Sequence, residues 1–365
     1  MRRWFTIALL CLCPAWAWGV FPNGWNWKCE LVIESDYVTA TLSNYPVLFT
    51  ESNLPPDLFV YARSDGGDIR FSSDSAGATE FAAEVKSYNA GGTAQIYGGI
   101  PSVSPAVDTT VWIWYGNAEA TMPAADSTYG SQAVWSDYAG VYHCEDASGN
   151  LTDSSANALH MTPTGSPTYG AIGKIGKGVQ TGVGKYFIAT APNPSFPYSV
   201  SVWGSSSDVT TLQGAAVRMK AGAVRFGGVF WAGSGDLIQA YEAYEAASAT
   251  TNYYMNTFHL GTGVFNATNS REAYIDGGSK GSNAGTPYSA TFDRIGVGTP
   301  RTDGVWPFNG ILDEVRFASF DYSDAWVAAD YANQNAPDTF VIEGTPEATA
   351  SVSFGLPIIE RLFVR

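Results

Sequence analysis

Short runs of apolar and β-branched residues, separated by turns rich in glycine, form the first third of the chain. Residues 29–33, 47–49 and 111–115 read CELVI, VLF and VWIWY. Clusters of Ser, Asp, Asn, Ala and Gly lie between them at 64–67, 75–77 and 89–92. Strands that recur between such turns are typical of an antiparallel sandwich. The pattern predicts a β-sandwich over residues 20–120, followed by a connector at 121–133.

A second series of β-rich runs extends from residue 134 to residue 344. It includes residues 198–203 (YSVSVW), 224–226 (VRF), 272–275 (EAYI) and 294–297 (RIGV). Ser323 can cap a short helix that reaches Asn333, and Pro337 ends it. Good helix formers are otherwise few, which excludes a helical bundle. We therefore expect an all-β protein of two antiparallel β-sandwiches, with a separate tail at 345–365.

The first nineteen residues have the pattern of an export signal. Arg2 and Arg3 precede an apolar run at 4–13, and Ala15-Trp16-Ala17 fits a signal peptidase site. A membrane-spanning helix needs about 20 apolar residues, so this run is too short to be one. The alternative is a buried N-terminal strand. The sequence predicts a signal peptide over 1–19 and a protein that is secreted, periplasmic or held at the cell surface.

The charge balance excludes one class of partner. The chain has 19 basic and 34 acidic residues, a net charge of −15, and no stripe of Lys and Arg. Nucleic-acid binding depends on such basic surfaces, so we expect no nucleic-acid partner.

Two cysteines remain once the signal is removed, Cys29 and Cys144. In an oxidising compartment a pair of this kind predicts one disulfide. The alternative is two buried free thiols, because sequence spacing does not place the sulfur atoms within bonding distance.

Several motifs, in order, resemble those of known domain families. The first unit resembles the DUF2341 domain in Asn44-Tyr45-Pro46-Val47, Gly67-Asp68-Ile69-Arg70-Phe71, Asp108-Thr109-Thr110-Val111 and Trp114-Tyr115-Gly116-Asn117. The second unit resembles the laminin-G-like, concanavalin A-like lectin/glucanase jelly roll in Ala273-Tyr274-Ile275-Asp276-Gly277, 308–316 and Tyr331-Ala332-Asn333-Gln334. The second resemblance implies a jelly roll over 134–344 that binds a glycan or a surface protein.

The same resemblance implies a calcium site. In such domains an early strand, the loop after it and the last strand meet, which here would gather Glu145 or Asp146 together with Asp153 and Asp313. Calcium takes six to eight oxygen ligands of this kind. The alternative is that Asp153 caps a turn and Asp313 accepts backbone N–H bonds at a strand end.

Aromatic rings on such sandwiches can stack on sugars, and two tryptophans are candidates. Trp231 adjoins the loop 232–235, and Trp306 precedes Pro307. The alternative for both is packing in a core.

No arrangement of catalytic groups stands out. His143, His160 and His259 lack metal-binding spacing and are better explained as core or hydrogen-bonded residues. A glycosidase on this scaffold needs two carboxylates two residues apart on one strand, so that both face the same side. The spacings of Glu242 with Glu245 and of Asp313 with Glu314 do not meet this requirement. We therefore expect a non-catalytic binding protein. The alternatives are a structural subunit of an envelope, appendage or virion-like assembly, or a glycan-cleaving enzyme. The apolar tail at 345–365 is in addition a candidate segment for self-association.

Overall fold

The computed structural model describes residues 23–193, 195–222, 225–286 and 291–349. Over these residues nearly all regular structure is antiparallel β-sheet, which confirms the expected all-β class. The predicted signal peptide at 1–19 and residues 350–365 of the predicted tail lie outside the described residues. No helix within the described ranges is long and apolar enough to cross a membrane.

The first sandwich is built mainly from the segment before residue 120. Its strands are β1 (Trp27–Ile33), β2 (Leu42–Thr50), β3 (Arg70–Ser72), β4 (Glu80–Phe81), β5 (Ala83–Asn89), β6 (Thr93–Val103) and β7 (Thr109–Tyr115). One sheet contains β1, β7, β3 and β4, and the other has the order β2-β6-β5. Alternation explains the packing, since Cys29, Leu31 and Ile33 of β1 are buried while their neighbours are partly exposed. A 3-10 turn (Ser35–Tyr37) and the short helix α1 (Leu58–Tyr61) connect the strands.

The second sandwich begins after helix α2 (Ser131–Val134). Its strands are β8 (Tyr138–Tyr142), β9 (Thr162–Thr164), β10 (Thr168–Ile172), β11 (Lys177–Thr181), β12 (Tyr186–Thr190), β13 (Tyr198–Ser206), β14 (Gln213–Met219), β15 (Phe226–Ala232), β16 (Leu237–Glu242), β17 (Glu245–Asn252), β18 (His259–Ala267), β19 (Ser270–Ile275), β20 (Gly278–Asn283), β21 (Arg294–Val297) and β22 (Gly310–Ala318). An eight-stranded sheet has the order β10-β11-β22-β13-β18-β19-β20, with β8 also beside β22. A seven-stranded sheet has the order β17-β16-β15-β14-β21-β12-β9.

The end of the described chain returns to the first sandwich. Helix α3 (Asp324–Asn335) begins at the predicted cap, where the Ser323 side chain accepts a hydrogen bond from the Trp326 N–H. After α4 (Pro337–Phe340), β23 (Val341–Glu343) and β24 (Glu347–Ala348) both pair with β1. The segment 341–348 therefore joins the first sheet, although the sequence assigned residues up to 344 to the second unit and the rest to a separate tail.

Candidate functional site

A group of buried charged side chains joins the two sandwiches, and we call it the junction network. It contains residues from both units and from α3: Glu84, His143, Glu314, Arg316 and Asp330. Each is at most 7% exposed. Buried charges at this density are stable only when they are paired, so their contacts decide what they do.

A bulge in β22 places the central carboxylate. Ser201 pairs with Arg316 and Trp203 pairs with Asp313, so Glu314 and Val315 together oppose one residue of β13. Glu314 has a φ of 47°, the left-handed conformation found in such bulges. The extra residue breaks strict alternation, and both Asp313 and Glu314 are buried as a result.

His143 links the two units through its two ring nitrogens. Nδ1 lies 2.8 Å from Glu314 Oε1, and Nε2 lies 3.1 Å from Glu84 Oε2 of the first sandwich. The ring also stacks on Tyr97, with 4.8 Å between centroids. The imidazole is therefore held on three sides by groups from both sandwiches.

Arg316 completes the network on the other side. Its Nη2 donates to Glu314 Oε2 at 3.0 Å and its Nη1 donates to Asp330 Oδ1 at 2.9 Å. Gln334, four residues after Asp330 on α3, donates to the same Asp330 oxygen. Among the described residues, Gln95 Oε1, Arg316 Nε and Asp330 Oδ2 are buried here without a partner. The terminal nitrogens of Arg316, which carry its charge, are both matched by carboxylates.

Pairing shifts the pKa values of the central groups. Burial alone would lower the pKa of His143, but Glu314 and Glu84 raise it to about 9. Burial opposes ionisation of Glu314, yet His143 and Arg316 lower its pKa to about 2. At neutral pH the network therefore holds a charged imidazolium between carboxylates. Since each member is at most 7% exposed and its charges are paired within the fold, the network joins the two sandwiches through buried contacts.

The other two histidines are also hydrogen-bonded within the fold. His160 Nδ1 accepts the Asp153 N–H, and His259 lies 2.7 Å from Asp276 Oδ2 while its Nε2 accepts the Tyr254 N–H. These contacts agree with the structural interpretation of the histidines.

The four carboxylates expected for calcium are engaged separately. Asp153 accepts the N–H groups of Val141, Ser155 and Leu159, and Asp313 accepts those of Ile175 and Glu314. Asp146 accepts from Thr152, and Glu145 accepts the Lys177 N–H. Within the described parts of the chain, no three His, Cys, Asp or Glu residues come together as a metal site. The donor set does not fit one calcium ion, and the contacts match the turn-capping alternative.

The two cysteines are free thiols in separate cores. Cys29 packs in the core of the first sandwich and Cys144 in that of the second. Burial raises the pKa of Cys29 to about 12 and that of Cys144 well above its usual range. The structure therefore contains the alternative of two buried thiols and not the expected disulfide between Cys29 and Cys144.

Of the two candidate tryptophans, one lies in the core. Trp231 is fully buried and its ring meets Phe308 edge-on at 5.2 Å. Gly204 and Gly261 of the facing sheet make room for the indole, because a Cβ at either position would lie within 2.9 Å of its ring. Trp231 cannot stack on a ligand, and its expected role is corrected to core packing.

Trp306 lies instead on the outer side of the seven-stranded sheet. Phe226 and Phe230 of β15 point to this side, opposite to Val229 and Trp231, and are nevertheless buried. The loop 299–307 covers them, held by a hydrogen bond from the Gly214 N–H to the Trp306 carbonyl. Trp306 and Tyr241 remain half-buried at the surface.

We call Phe226, Phe230, Tyr241 and Trp306 the aromatic face. Tyr241 stacks on Phe226 with centroids 5.3 Å apart, and Trp306 meets the same ring edge-on at 5.4 Å. The Arg301 guanidinium lies 5.9 Å from the centre of the Trp306 ring. On the neighbouring surface Gln239 donates to Ser248, and Tyr244 is 61% exposed. Two aromatic rings thus lie beside hydrogen-bonding groups on an accessible surface.

The hairpin β16–β17 corrects one sequence argument. Glu242 and Glu245 do not lie on one strand but pair directly across a two-residue turn, so both face the same side of the sheet. Ala243 and Tyr244 in the turn have φ values of 42° and 80°. Burial raises the pKa of Glu242 to about 7, and Arg271 acts in the opposite direction. The pair is directed between the two sheets, where Glu242 is 5% exposed.

No protein-family model matches the chain, and no curated protein matches it. Among solved structures it is similar to domain 4 of AbnA, a GH43 extracellular arabinanase from Geobacillus stearothermophilus in complex with arabinotriose, at 19% identity and a TM-score of 0.43 over 54% of this chain and 98% of that one. It is similar to the receptor binding domain of botulinum neurotoxin C/D mosaic serotype at 15% identity and a TM-score of 0.41, over 55% of this chain and 52% of that one. It is also similar to Trypanosoma rangeli sialidase at 10% identity and a TM-score of 0.43, over 66% of this chain and 43% of that one. The chain thus spans about half or less of the last two proteins. Its function is therefore inferred from its own residues.

Proposed function

We propose that the protein is an exported, non-catalytic binding protein that recognises a glycan or another surface molecule through the aromatic face. The observation that carries the proposal is the exposure of Trp306 and Tyr241 on a floor formed by Phe226 and Phe230. Large rings that lose few torsions on binding give contact area at a small entropic cost.

The surroundings of the aromatic face suit a ligand that is partly apolar and partly hydroxylated. A sugar ring presents C–H groups on its faces and hydroxyls at its edge. Arg301 beside Trp306, and Gln239 with Ser248, supply donors and acceptors near the rings.

A glycan-array screen of the mature chain, with and without calcium, tests the proposal. The leading ligand is then titrated against the wild type and Trp306→Ala. We expect the variant to lose at least about tenfold in affinity, because centrally placed aromatic side chains carry a large share of binding energy. Trp112→Ala is the matched control, since Trp112 is a half-buried tryptophan of the first sandwich.

Two results would overturn the proposal. One is the absence of binding to any glycan or isolated surface protein by the folded wild type. The other is an equal loss of affinity in Trp306→Ala and Trp112→Ala. Thermal unfolding of each variant shows that it is folded before its affinity is compared.

Glycan cleavage is a second candidate because Glu242 and Glu245 face each other and the pKa of Glu242 is raised to about 7. A carboxylic acid kept protonated near neutral pH beside a second carboxylate is the pattern of a glycosidase. Reducing-sugar release from bound glycans tests it. We expect none, because Glu242 is enclosed between the sheets; release that is lost in Glu242→Gln would replace binding with catalysis.

A further inference from the structure

A cavity of about 290 Å³ opens between the two sheets of the second sandwich. It lies where β13 and β22 of one sheet face β14 and β21 of the other. The residues that line it include Arg218, Tyr198, Phe317, Ser319, Asn157 and Asn193. Polar and aromatic groups from both sheets and from two loops therefore meet around one space.

Arg218 is the charged group of this cavity. Its residue is 3% exposed, and its guanidinium carbon lies 4.9 Å from the Tyr198 ring centre and 5.5 Å from that of Phe317. Nε is buried without a hydrogen-bond partner among the described residues. Within the same ranges, no carboxylate forms an ion pair with Arg218 and no hydrogen bond satisfies its terminal nitrogens.

Two other buried arginines, Arg316 and Arg271, have hydrogen-bond partners that Arg218 lacks. Arg316 and Arg271 also have an unpartnered Nε, but their terminal nitrogens are satisfied. Arg316 binds two carboxylates, as described above. Arg271 donates to the side chain of Asn283 and to the carbonyls of Thr268 and Gly285. Arg218 differs because it lines the cavity and no described group pairs with its terminal nitrogens.

The charges around Arg218 do not cancel its own. Arg218, Gly227 and Glu242 lie in one row across β14, β15 and β16, and Gly227 between the two charged residues has no side chain. Glu242 has a pKa of about 7 and is electrostatically coupled to Arg271. Burial lowers the pKa of Arg218 to about 10, which still leaves it charged at neutral pH. The space between the sheets thus holds Arg218 and Arg271 with Glu242 and Glu245, and both carboxyls act on Arg271 while neither forms an ion pair with Arg218.

We propose that this cavity binds the carboxylate of a small organic acid, either free or as the acidic sugar of a glycan, with Arg218 as its counter-cation. An uncompensated buried charge is costly, and an anionic ligand would remove that cost. A carboxylate is planar and carries one charge, so it fits a single guanidinium through two parallel hydrogen bonds. Asn157, Asn193 and Ser319 offer polar contacts for the rest of the ligand.

The size of the cavity limits the ligand to one small unit. Ligand pockets usually measure roughly 300–1,000 Å³, so this one is at the lower end of that range. The site is also independent of the aromatic face. Arg218 points to the inside of the seven-stranded sheet, because it shares a face with Ile295, whereas Trp306 lies on the outside.

Thermal unfolding and titration calorimetry of the mature chain test the proposal with four compounds: acetate, glucuronate, glucose and inorganic phosphate. A ligand that binds only the folded state raises the melting temperature. We expect a rise of several degrees with glucuronate and none with glucose or phosphate. A similar rise with acetate indicates that a free carboxylate is sufficient; a rise with glucuronate alone assigns the acidic sugar.

Variants separate the site from general effects of anions. Arg218→Met should abolish the rise while remaining folded without ligand, and Arg218→Lys should weaken affinity at least about tenfold because lysine lacks the planar fork. Lys220→Met, a nearby exposed cation paired with Asp293, should bind as the wild type does. No rise in the wild type, the same rise in Arg218→Met, or an equal rise with phosphate would overturn the carboxylate assignment.

Discussion

Two buried arginines of this protein lie in contrasting surroundings. Arg316 at the junction between the sandwiches is 1% exposed and its terminal nitrogens bind Glu314 and Asp330. Arg218 inside the second sandwich is 3% exposed, and no ion pair joins it to any carboxylate in the described chain. Both guanidinium groups lie against aromatic rings, so burial and ring contacts do not distinguish them. The difference is the presence of counter-charges.

The comparison separates a structural charge from a charge available to a ligand. A buried ion network that satisfies its own groups fixes how two units are packed and leaves nothing for an external partner. A buried cation without a counter-ion destabilises the fold until something binds it. The same residue type therefore has opposite expected effects on stability at the two places.

Removing the paired arginine should have the largest effect. Arg316→Met leaves Glu314 and Asp330 buried without their cation, and breaking such a pair from one side costs about 3–5 kcal/mol. The free energy of unfolding at pH 7, measured by urea denaturation, should fall by this amount. Arg301→Met, which removes a surface partner of Asp303, is the control and should cost at most about 1 kcal/mol. Equal costs for the two variants would contradict the assignment of Arg316 to a buried joint.

The junction should also make stability depend on pH. The pKa of His143 is raised to about 9 in the folded protein, so its contribution is fully present below its unfolded pKa of about 6.5 and is lost as pH rises through about 9. Glu314 acts in the opposite direction, because its pKa is lowered to about 2. Its contribution is present above about pH 4.5 and is lost as pH falls toward 2.

Urea unfolding between pH 6 and pH 10 measures how the free energy of unfolding changes as His143 loses its proton, since this range covers roughly its unfolded and folded pKa values. We expect a loss of up to about 3 kcal/mol over this range in the wild type. His143→Gln keeps hydrogen-bonding groups but cannot titrate, and it should show a flatter profile. An unchanged alkaline loss in His143→Gln would assign the pH dependence to other groups.

Removing the unpaired arginine should have the opposite sign and a smaller size. Arg218→Met replaces an uncompensated buried charge by an apolar side chain of similar length. In a buffer without carboxylates or phosphate at pH 7 we expect the free energy of unfolding to rise by about 1–3 kcal/mol. A loss comparable to that of Arg316→Met would show that Arg218 is satisfied within the fold, and the contrast between the two regions would disappear.

The sequence predicted the local features of both regions but not their contacts. Alternation of apolar residues identified strands such as β1, and Ser323 identified the start of α3. The bulge at Glu314 and the hairpin that pairs Glu242 with Glu245 depend on how strands align, and the two-residue turn Ala243-Tyr244 carries no glycine or asparagine to announce it.

The junction network could not be found from local patterns because its members are far apart in the sequence. His143 contacts Glu84 across 59 residues and Glu314 across 171. One signal was present, since Asp313, Glu314 and Arg316 are charges within an otherwise apolar strand, where burial requires partners. The burial of Arg218 likewise could not be predicted from the sequence, because an arginine in a strand more often faces solvent.

The smallest effect is expected from a reductant. This experiment tests whether the ion network alone holds the two sandwiches together. A disulfide between Cys29 and Cys144 would cross-link the two sandwiches and could add roughly 4–5 kcal/mol on the chain-entropy model. The structure instead places each thiol in its own core. Dithiothreitol should therefore leave the free energy of unfolding of the protein unchanged. Titration of the unfolded, non-reduced protein should find two thiols.

In the folded protein both thiols should react slowly, because burial raises their pKa values and keeps them protonated. A clear loss of stability on reduction would mean that a disulfide also joins the two sandwiches. The effect of Arg316→Met on the free energy of unfolding should then be measured again in reduced protein.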